Sequence, residues 1–507
     1  MLHRRSCFVL ALVLVAMPAC SSKAPSAHRA DSTAPGSPTA GPTEASPTTA
    51  TVPTPTPTPT TSPLPSPTAG LQIDAAAFRG QGTLAFVSGD GLDILDGSSA
   101  AVHRVAVPSG LAASYPAWSP DGAWLAFLAD PAASTQAPTN GEIRSTNPQA
   151  GLWLAKADGS DAHLVSPEVE PYSDPVFAWS PVTDALAVSP VLPSGQTGGL
   201  LVLDAATGRQ VQVVPPTPDR STPVPDPRKS IPVIGSTAGT FAWSPDGSRI
   251  AVATTQLVPG TGAYGGTIET VGSGGGPLVP WINDGEDVAH LAGWWPDGKG
   301  IVFWQDPQDS ASLTADGAQL VSLAVGSTKP VALATTLIDP AWVQPEPGTE
   351  SVAVVSGSDR RVWVTKAIAV CGMASGSCQS LAGTSGQVAL DPAWSADGEH
   401  LAFVKAAAET GSDTSTSVMQ SWEGTHTLWI AGPGGTGATE LAAGRGASSP
   451  EWSADGSSLL FVSGNALFLA GVRATTATLI AGPLGQSPWP GGFYGRVDWR
   501  QDFAWHR

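Results

Sequence analysis

Residues 115–130, YPAWSPDGAWLAFLAD, decide the fold because the chain repeats this stretch with small changes. Near-copies begin at Phe177 (FAWSPVTDALAVS), Phe241 (FAWSPDGSRIAVA), Pro392 (PAWSADGEHLAFV) and Pro450 (PEWSADGSSLLFV). Each copy has a short apolar stretch that ends in Trp, then a turn, then a second apolar stretch. In the turn Pro presets φ, Asp binds nearby backbone and Gly adopts a positive φ. The motif therefore predicts two antiparallel strands joined by a tight turn.

The tryptophan of this motif recurs about every 50 to 60 residues, which is typical of a propeller or solenoid rather than of separate domains. Two more strand-like segments follow each motif, as in GLWLAKADGSDAHLVS from Gly151, and no helical period intervenes. Four strands per repeat predict a propeller blade, in which Trp fills the space between neighbouring blades. The motif tryptophans are Trp118, Trp179, Trp243, Trp294, Trp342, Trp394, Trp452 and Trp499.

The two ends of the repeat region predict how the ring closes. Three strand-like segments from Gly82 lack a tryptophan strand, whereas the segment around Trp499 has nothing after it to complete a blade. Pairing the two ends predicts an all-β propeller of eight four-stranded blades, closed by its N- and C-terminal strands. Seven blades are the alternative, because the spacing of the motif is irregular.

The acidic residue of each turn is predicted to be structural, because it belongs to the repeat. These residues are Asp121, Asp246, Asp297, Asp397 and Asp455. Residues 432–437 match the glycine pattern of a dinucleotide site, but a strand pattern follows where that site needs a helix, so we expect a hairpin turn. The acids around Asp93 lack the alternation of a calcium loop. We therefore expect no cofactor, no metal site and no catalytic motif.

The Trp-Ser-Pro-Asp-Gly turn followed by an apolar strand resembles the WD40-like PD40 β-propeller repeat of TolB-type proteins and of actinobacterial lipoproteins. The resemblance covers about residues 80–500. TolB-type proteins are binding platforms in envelope complexes, so the resemblance implies a binding role. Those proteins carry an α/β domain before the propeller, where this chain has a segment rich in Pro and Thr.

The first residues predict export and lipid anchoring. Arg4 and Arg5 precede an apolar run from Cys7 to Met17, which is too short to span a bilayer and is typical of a signal peptide. Ala19 before Cys20 resembles the lipobox of bacterial lipoproteins, which implies acylation of Cys20. We therefore expect a signal peptide at 1–19; a plain secretory leader is the alternative.

Two further features agree with an extracytoplasmic location, anchored to the cell membrane by lipid. Residues 20–70 are predicted to form a disordered Pro/Thr-rich stalk, because alternating Pro forbids helix and sheet, and residues 71–507 form the propeller. Cys371 and Cys378 are the cysteines that remain, and in an oxidising envelope they are predicted to form a disulfide.

Charge and loop lengths indicate the class of partner. A formal net charge of −18 disfavours nucleic acid. Three long insertions, at 131–150, 215–237 and 406–427, are predicted to emerge on one side of the propeller, which we call the loop face. The candidate contacts are Arg144, Arg220, Arg228, Lys229, Met419 and Trp422.

The sequence as a whole predicts a cell-envelope lipoprotein whose propeller is a scaffold that binds a protein or glycan through the loop face, with the lipid bilayer held through Cys20. One alternative is a propeller enzyme of the glycan lyase or hydrolase type with its site in the central funnel. Another is that the insertions have no partner.

Overall fold

The computed structural model describes most of the predicted propeller. The signal peptide, residues 20–69 of the stalk, and the candidate contacts Arg144, Arg220, Arg228 and Lys229 lie outside the described residues. In the part of the chain that is described, no helix is long and apolar enough to cross a membrane. The described residues are 70–89, 91–131, 150–169, 175–192, 198–216, 233–234, 241–257, 264–283, 287–307, 310–383, 386–485 and 494–507.

Short antiparallel strands make up almost all of the regular structure. The first half contains β1 (Gln72–Ile73), β2 (Thr83–Ser88), β3 (Gly91–Asp96), β4 (Ala101–Arg104), β5 (Leu111–Trp118), β6 (Trp124–Pro131), β7 (Gly151–Lys156), β8 (His163–Ser166), β9 (Phe177–Trp179), β10 (Ala185–Val188), β11 (Leu200–Asp204), β12 (Gln210–Val214), β13 (Val233–Ile234), β14 (Phe241–Trp243), β15 (Arg249–Leu257), β16 (Tyr264–Gly272) and β17 (Val279–Asn283).

The second half continues the same pattern and adds two short helices, α1 (Ala311–Asp316) and α2 (Thr416–Glu423). Its strands are β18 (Asp287–Trp294), β19 (Gly300–Pro307), β20 (Ala318–Ala324), β21 (Val331–Thr336), β22 (Val343–Pro345), β23 (Ser351–Ser356), β24 (Ala367–Gly372), β25 (Cys378–Ala382), β26 (Gln387–Trp394), β27 (Leu401–Ala407), β28 (Thr427–Ala431), β29 (Thr439–Arg445), β30 (Ser448–Trp452), β31 (Ser458–Ser463), β32 (Ala466–Gly471), β33 (Thr478–Gly482) and β34 (Phe503–His506). Turns of 3-10 helix lie at Pro340–Trp342, Pro433–Gly435 and Trp499–Gln501.

These strands form eight sheets, so the eight-bladed propeller is confirmed and the seven-bladed alternative is wrong. We name the strands of a blade A to D outward from the central funnel. In that order blade 1 is β34-β2-β3-β4, blade 2 is β5 to β8 and blade 3 is β9 to β12. Blade 4 is β14 to β17 with β13 also on β15, and blades 5, 6 and 7 are β18 to β21, β22 to β25 and β26 to β29. Blade 8 is β30 to β33 with β1 as a fifth strand on its outer edge.

The ring is closed at two neighbouring blades. The C-terminal strand β34 is strand A of blade 1 and pairs with β2, so the predicted closure is confirmed. In addition, the N-terminal strand β1 pairs with β33 of blade 8, where Ile73 lies opposite Ala481. The C-terminal strand therefore completes blade 1, and the N-terminal strand adds a fifth strand to blade 8.

Two tryptophans that were assigned to the strand-A position of the motif do not occupy it. Trp499 lies in a 3-10 turn, and Trp505 takes its place, since Trp505 pairs with Leu84 as Trp179 pairs with Leu186. Similarly, Trp342 lies in a 3-10 turn, and Pro345 takes its position in blade 6.

An aspartate before each of these two turns explains the difference. The Asp339 side chain accepts a hydrogen bond from the Ala341 amide, and the Asp498 side chain accepts one from the Arg500 amide. Such capping satisfies amides at the start of a helical turn and holds the chain out of an extended conformation. The strand consequently begins only after the turn.

Strand-A tryptophans link consecutive blades around the ring. Their indole Nε1–H groups donate to backbone carbonyls of the preceding blade's strand A at 2.9 to 3.1 Å. A buried indole and a carbonyl of the neighbouring sheet therefore satisfy each other while the ring system fills the interface. The pairs are Trp118 with Ala504, Trp179 with Ala117, Trp243 with Ala178, Trp294 with Ala242, Trp394 with Gln344 and Trp452 with Ala393.

The turn acids have the structural role predicted for them. The Ser119 hydroxyl donates to Asp121 at 2.7 Å, and the Ala123 amide donates to the same oxygen at 2.8 Å. Hydrogen bonds from Ser244 and Ser248 lower the pKa of Asp246 to about 2. In the same way, the turn at residues 432–437 is a hairpin connection between β28 and β29, as expected.

We predict that Trp452→Phe destabilises the ring more than Trp304→Phe does. Both side chains are almost fully buried, at 1% and 0% exposure, but only Trp452 donates a hydrogen bond to another blade, whereas the indole nitrogen of Trp304 has no partner. Losing the donor removes one hydrogen bond between blades, while the Ala393 carbonyl stays paired with β27, so the expected cost is about 0.5 to 1.5 kcal/mol. Denaturant unfolding followed by circular dichroism gives the two losses, and equal losses would contradict a role for the hydrogen bond.

Candidate functional site

The strand assignment places the three insertions as predicted. Residues 131–150 connect strands B and C of blade 2, and residues 406–427 connect strands B and C of blade 7. Residues 215–237 lie between strand D of blade 3 and strand A of blade 4. Because these two kinds of connection leave the sheets at the same end, all three insertions belong to the loop face.

The third insertion does not expose its tryptophan, so the expected exposure of Trp422 is wrong. Trp422 is 4% exposed, and its indole nitrogen donates to the Ala407 carbonyl at 2.8 Å. Its ring packs edge-on against Trp363 at 5.9 Å and against His426 at 4.5 Å. Helix α2 carries this side chain inward because its apolar side completes the core of blades 6 and 7.

Met419 of the same helix is half-buried and contacts the C-terminal segment, residues 494–502. Its sulfur accepts a hydrogen bond from the Gly495 amide at 3.1 Å. Tyr494 pairs with the connection between strands B and C of blade 6, since its amide donates to the Arg360 carbonyl and its carbonyl accepts from the Val362 amide, both at 2.9 Å. The segment thus runs along the loop face from blade 6 to β34 of blade 1.

Arg496 is the centre of a buried ion-pair cluster in this segment. Its Nε donates to the Asp339 carboxylate, and its Nη1 donates to Asp391 Oδ1 at 3.0 Å. The guanidinium carbon lies 5.3 Å from the centre of the Trp342 ring, in the range of a cation–π contact. Two blades therefore hold one arginine: Asp339 precedes blade 6, and Asp391 lies in strand A of blade 7.

A second arginine pairs with the start of the last 3-10 turn. Arg500 Nε donates to Asp498 Oδ1 at 2.7 Å. Burial alone would raise the pKa of Asp498, but the adjacent Arg500 outweighs it, and the pKa is lowered. Asp498 is therefore ionised at neutral pH.

Burial shifts the pKa values of three further groups of the cluster in the direction that favours their neutral forms. Burial raises the pKa of Glu423, whose Oε1 accepts from the Ser448 hydroxyl at 3.1 Å. Burial, together with the charge of Asp498, raises the pKa of Asp502 to about 8, and burial lowers the pKa of His426 to about 4. At neutral pH the cluster thus contains ionised Asp498 beside Arg500, together with neutral His426 and Asp502.

The space beside Arg496 is too small for a substrate. A cavity of about 10 Å³ is lined by Asp391, Glu423, His426, Ser448 and Arg496, among other residues. That volume admits about one water molecule. Acid, base and hydrogen-bonding groups meet here, but Arg496 and its partners fill the place where a reacting molecule would have to lie.

Metal-ligand groups do not converge in the described part of the chain, where no set of three His, Cys, Asp or Glu side chains could hold an ion. Cys371 and Cys378 lie opposite each other in the β24–β25 hairpin of blade 6 and are joined by a disulfide. The disulfide cross-links the two outer strands of that blade and lies outside the Arg496 cluster.

The sequence contains a signal for this cluster that motif reasoning missed. The motif copies at residues 339–342 and 391–394 both read DPAW, whereas the corresponding copies elsewhere have Tyr115 or Ser449 before the proline. An aspartate at that position in two consecutive repeats indicates an acidic pair at the loop end of strand A. Its partner Arg496 lies beyond the last repeat, so spacing within the repeats could not identify it.

No family model matches the chain, and no curated protein matches its sequence. The PD40-type resemblance therefore stays a prediction. Several solved propellers are similar in structure. An oligogalacturonate lyase in complex with manganese matches over 78% of this chain and 85% of its own, with 12% identity and a TM-score of 0.40.

Two peptidase structures are similar to a comparable degree. A prolyl endopeptidase matches over 80% of this chain and 51% of its own, with 13% identity and a TM-score of 0.41, so this chain spans about half of that enzyme's length. The β-propeller domain of the Trilobed protease from Pyrococcus furiosus matches over 71% of this chain and 94% of its own, with 12% identity and a TM-score of 0.38. At these values the likeness is one of fold class, and nothing about activity follows from it.

We predict opposite pH effects for two aspartates of the cluster. Folded Asp502 keeps its proton up to about pH 8, whereas the unfolded chain loses it near pH 3.8, so the free energy of unfolding falls between these values. Asp502→Asn removes that loss and stabilises the protein relative to wild type as the pH rises from 4 to 8. Asp498→Asn is the matched control: it removes an ion pair and destabilises the protein at neutral pH. Denaturant unfolding at several pH values measures both, and a pH-independent difference between Asp502→Asn and wild type would contradict the prediction.

Proposed function

We propose that the chain is a lipid-anchored scaffold of the cell envelope, whose propeller binds a protein or glycan through the loop face. The observation that carries this proposal is that Asp339 and Asp391 hold Arg496 at the loop face, where the cavity beside it has a volume of only about 10 Å³, too small for a substrate. A partner therefore binds at the loop face, from which the three long insertions are predicted to emerge.

The leader and stalk support the anchoring half of the proposal. Acylated Cys20 holds the chain at the membrane, since two or more acyl chains give stable anchoring. The Pro/Thr-rich composition of residues 20–70 suits a spacer between anchor and propeller, since some fifty residues at about 3.1 Å per residue could span on the order of 150 Å when extended. The net charge of −18 favours a neutral or basic partner and disfavours nucleic acid.

A propeller enzyme is the second candidate, and the observation that favours it is the meeting of Asp391, Glu423 and His426 at the funnel mouth. Burial raises the pKa of Glu423 and keeps the His426 imidazole neutral, and general acid–base catalysis uses carboxyl and imidazole groups of this kind. The enzyme would, however, need residues 494–502 to leave the mouth before a glycan could enter.

An affinity enrichment distinguishes the candidates. We expect the full-length chain, isolated with its anchor, to enrich a protein or glycan from the native envelope. A variant with residues 132–149 and 217–232 replaced by short Gly-Ser linkers should lose that partner, and neutralising Arg144, Arg220, Arg228 and Lys229 to Gln tests their charges alone. Mass spectrometry and glycan analysis measure recovery. Equal recovery with all three baits contradicts binding through these insertions.

We predict that Cys20→Ala abolishes the membrane association of the chain. The thiol is the acyl acceptor, so its loss removes the anchor while the leader still directs export. Cys7→Ala is the matched control, because Cys7 leaves with the leader and its loss should change nothing. Incorporation of a labelled fatty acid, together with membrane fractionation, measures the effect. Label in the Cys20→Ala chain at the wild-type level would contradict lipid attachment at this residue.

A further inference from the structure

The pocket around Arg496 has the chemistry of a site that recognises arginine. Two carboxylates, Asp339 and Asp391, receive different nitrogens of the guanidinium, and the Trp342 ring lies beside it. Planar guanidinium groups suit such an arrangement, because they donate in fixed directions and stack on aromatic rings. An ammonium group has neither property.

The two carboxylates of this pocket are held in place by hydrogen bonds from backbone amides as well as by Arg496. The Asp339 carboxylate accepts from the Ala341 amide at 3.0 Å, and Asp391 Oδ2 accepts from the Ser449 amide of blade 8 at 3.0 Å. Asp391 also lies at a bulge of β26, with a φ of 50°, which directs its side chain out of the strand pairing. Both carboxylates are thus positioned before an arginine arrives.

One acceptor of the same cavity stays unused with Arg496 in place, so it is available to a water molecule beside the arginine. His426 is 3% exposed and lines the cavity, its Nδ1 lies 3.2 Å from the Ala447 carbonyl, and its Nε2 has no hydrogen-bond partner. With Nδ1 as the donor to Ala447, Nε2 is a lone-pair acceptor that faces the cavity. A donor brought by a ligand or by one water molecule would satisfy it.

The position before Arg496 requires glycine. Gly495 has a φ of +84°, and a Cβ atom there would lie 2.6 Å from Cε3 of Trp363 and 2.9 Å from Cγ2 of Val362. Tyr494 in turn pairs through its backbone with the connection between β23 and β24, like an added strand. The contacts at the loop face therefore suit a peptide segment with an extended residue, followed by Gly and then Arg.

We infer that Asp339, Asp391, Trp342 and Trp363 form a binding site for an extended peptide that contains Gly-Arg, and that residues 494–496 of the same chain occupy it as an internal ligand. A partner protein with an exposed Gly-Arg segment takes the site by exchange with residues 494–496. This inference rests on the proposed scaffold function and names the chemistry of its partner.

A peptide titration on the full-length chain tests the inference. The probe is acetyl-Tyr-Gly-Arg-Val-amide, and the control peptides replace Gly by Ala or Arg by Lys. We expect the Arg496→Ala chain to bind the probe at least tenfold more tightly than either control peptide, as measured by calorimetry. Wild type should bind the probe at least tenfold more weakly than Arg496→Ala, because the internal ligand competes at a high effective concentration.

Two further variants test the roles of Asp391 and Gly495. Adding Asp391→Asn to Arg496→Ala should remove the preference for Arg over Lys. In a chain that keeps Arg496, Gly495→Ala should loosen the internal ligand and raise probe affinity above that of wild type. Binding without preference among the peptides overturns the inference. An Arg496→Ala chain that fails to fold, as seen by circular dichroism, also overturns it, because an exchangeable ligand cannot be required for folding.

The outcome is separable from that of the proposed function. If the envelope enrichment recovers a partner whose binding is unchanged by Asp391→Asn, the scaffold function stands and the Gly-Arg site does not.

Discussion

The hydrogen bond from a strand-A tryptophan to the preceding blade is the constraint on which the rest of the structure depends. A single four-stranded sheet exposes two apolar faces, so each blade is stable only between neighbours. The indole of Trp179, for example, fills such an interface and donates to the Ala117 carbonyl of blade 2 at 2.9 Å. The bond fixes the height and rotation of one blade against the next, and repeating it curves the array into a ring.

Two junctions of the described ring, before blade 6 and before blade 1, lack this hydrogen bond. Pro345 holds the tryptophan position of blade 6 and has no side-chain donor, and Asp339 just before it binds Arg496. In blade 1 the Trp505 indole donates to Gln81 of its own blade, and Arg507 instead reaches Glu451 of blade 8 at 2.8 Å. The C-terminal residues thus join blade 1 to blade 8, where the repeated hydrogen bond is missing, and add a contact between blades 6 and 7.

Much of the fold was predictable from sequence because the motif is periodic and its parts have local causes. Ser244, Asp246 and the following Gly form the expected turn, and the closure through the C-terminal strand followed from counting strands. Trp499 and Trp342 were misassigned because an Asp-capped turn, set by Asp498 and Asp339, moves the strand start by a few residues. The site was less predictable, since Arg496 and Asp391 are far apart in sequence, and Trp422 was expected at the surface because an insertion rarely contributes to a core.

Arg496 joins blades 6 and 7 at the loop face through its contacts with Asp339 and Asp391. A double-mutant cycle between Arg496→Gln and Asp391→Asn, read by denaturant unfolding, tests this most directly. We expect the two losses not to be additive, with a coupling of about 1 to 3 kcal/mol, because each residue compensates the buried charge of the other. Additive losses would mean that the ion pair does not form, and would contradict a contact between blades 6 and 7 through Arg496.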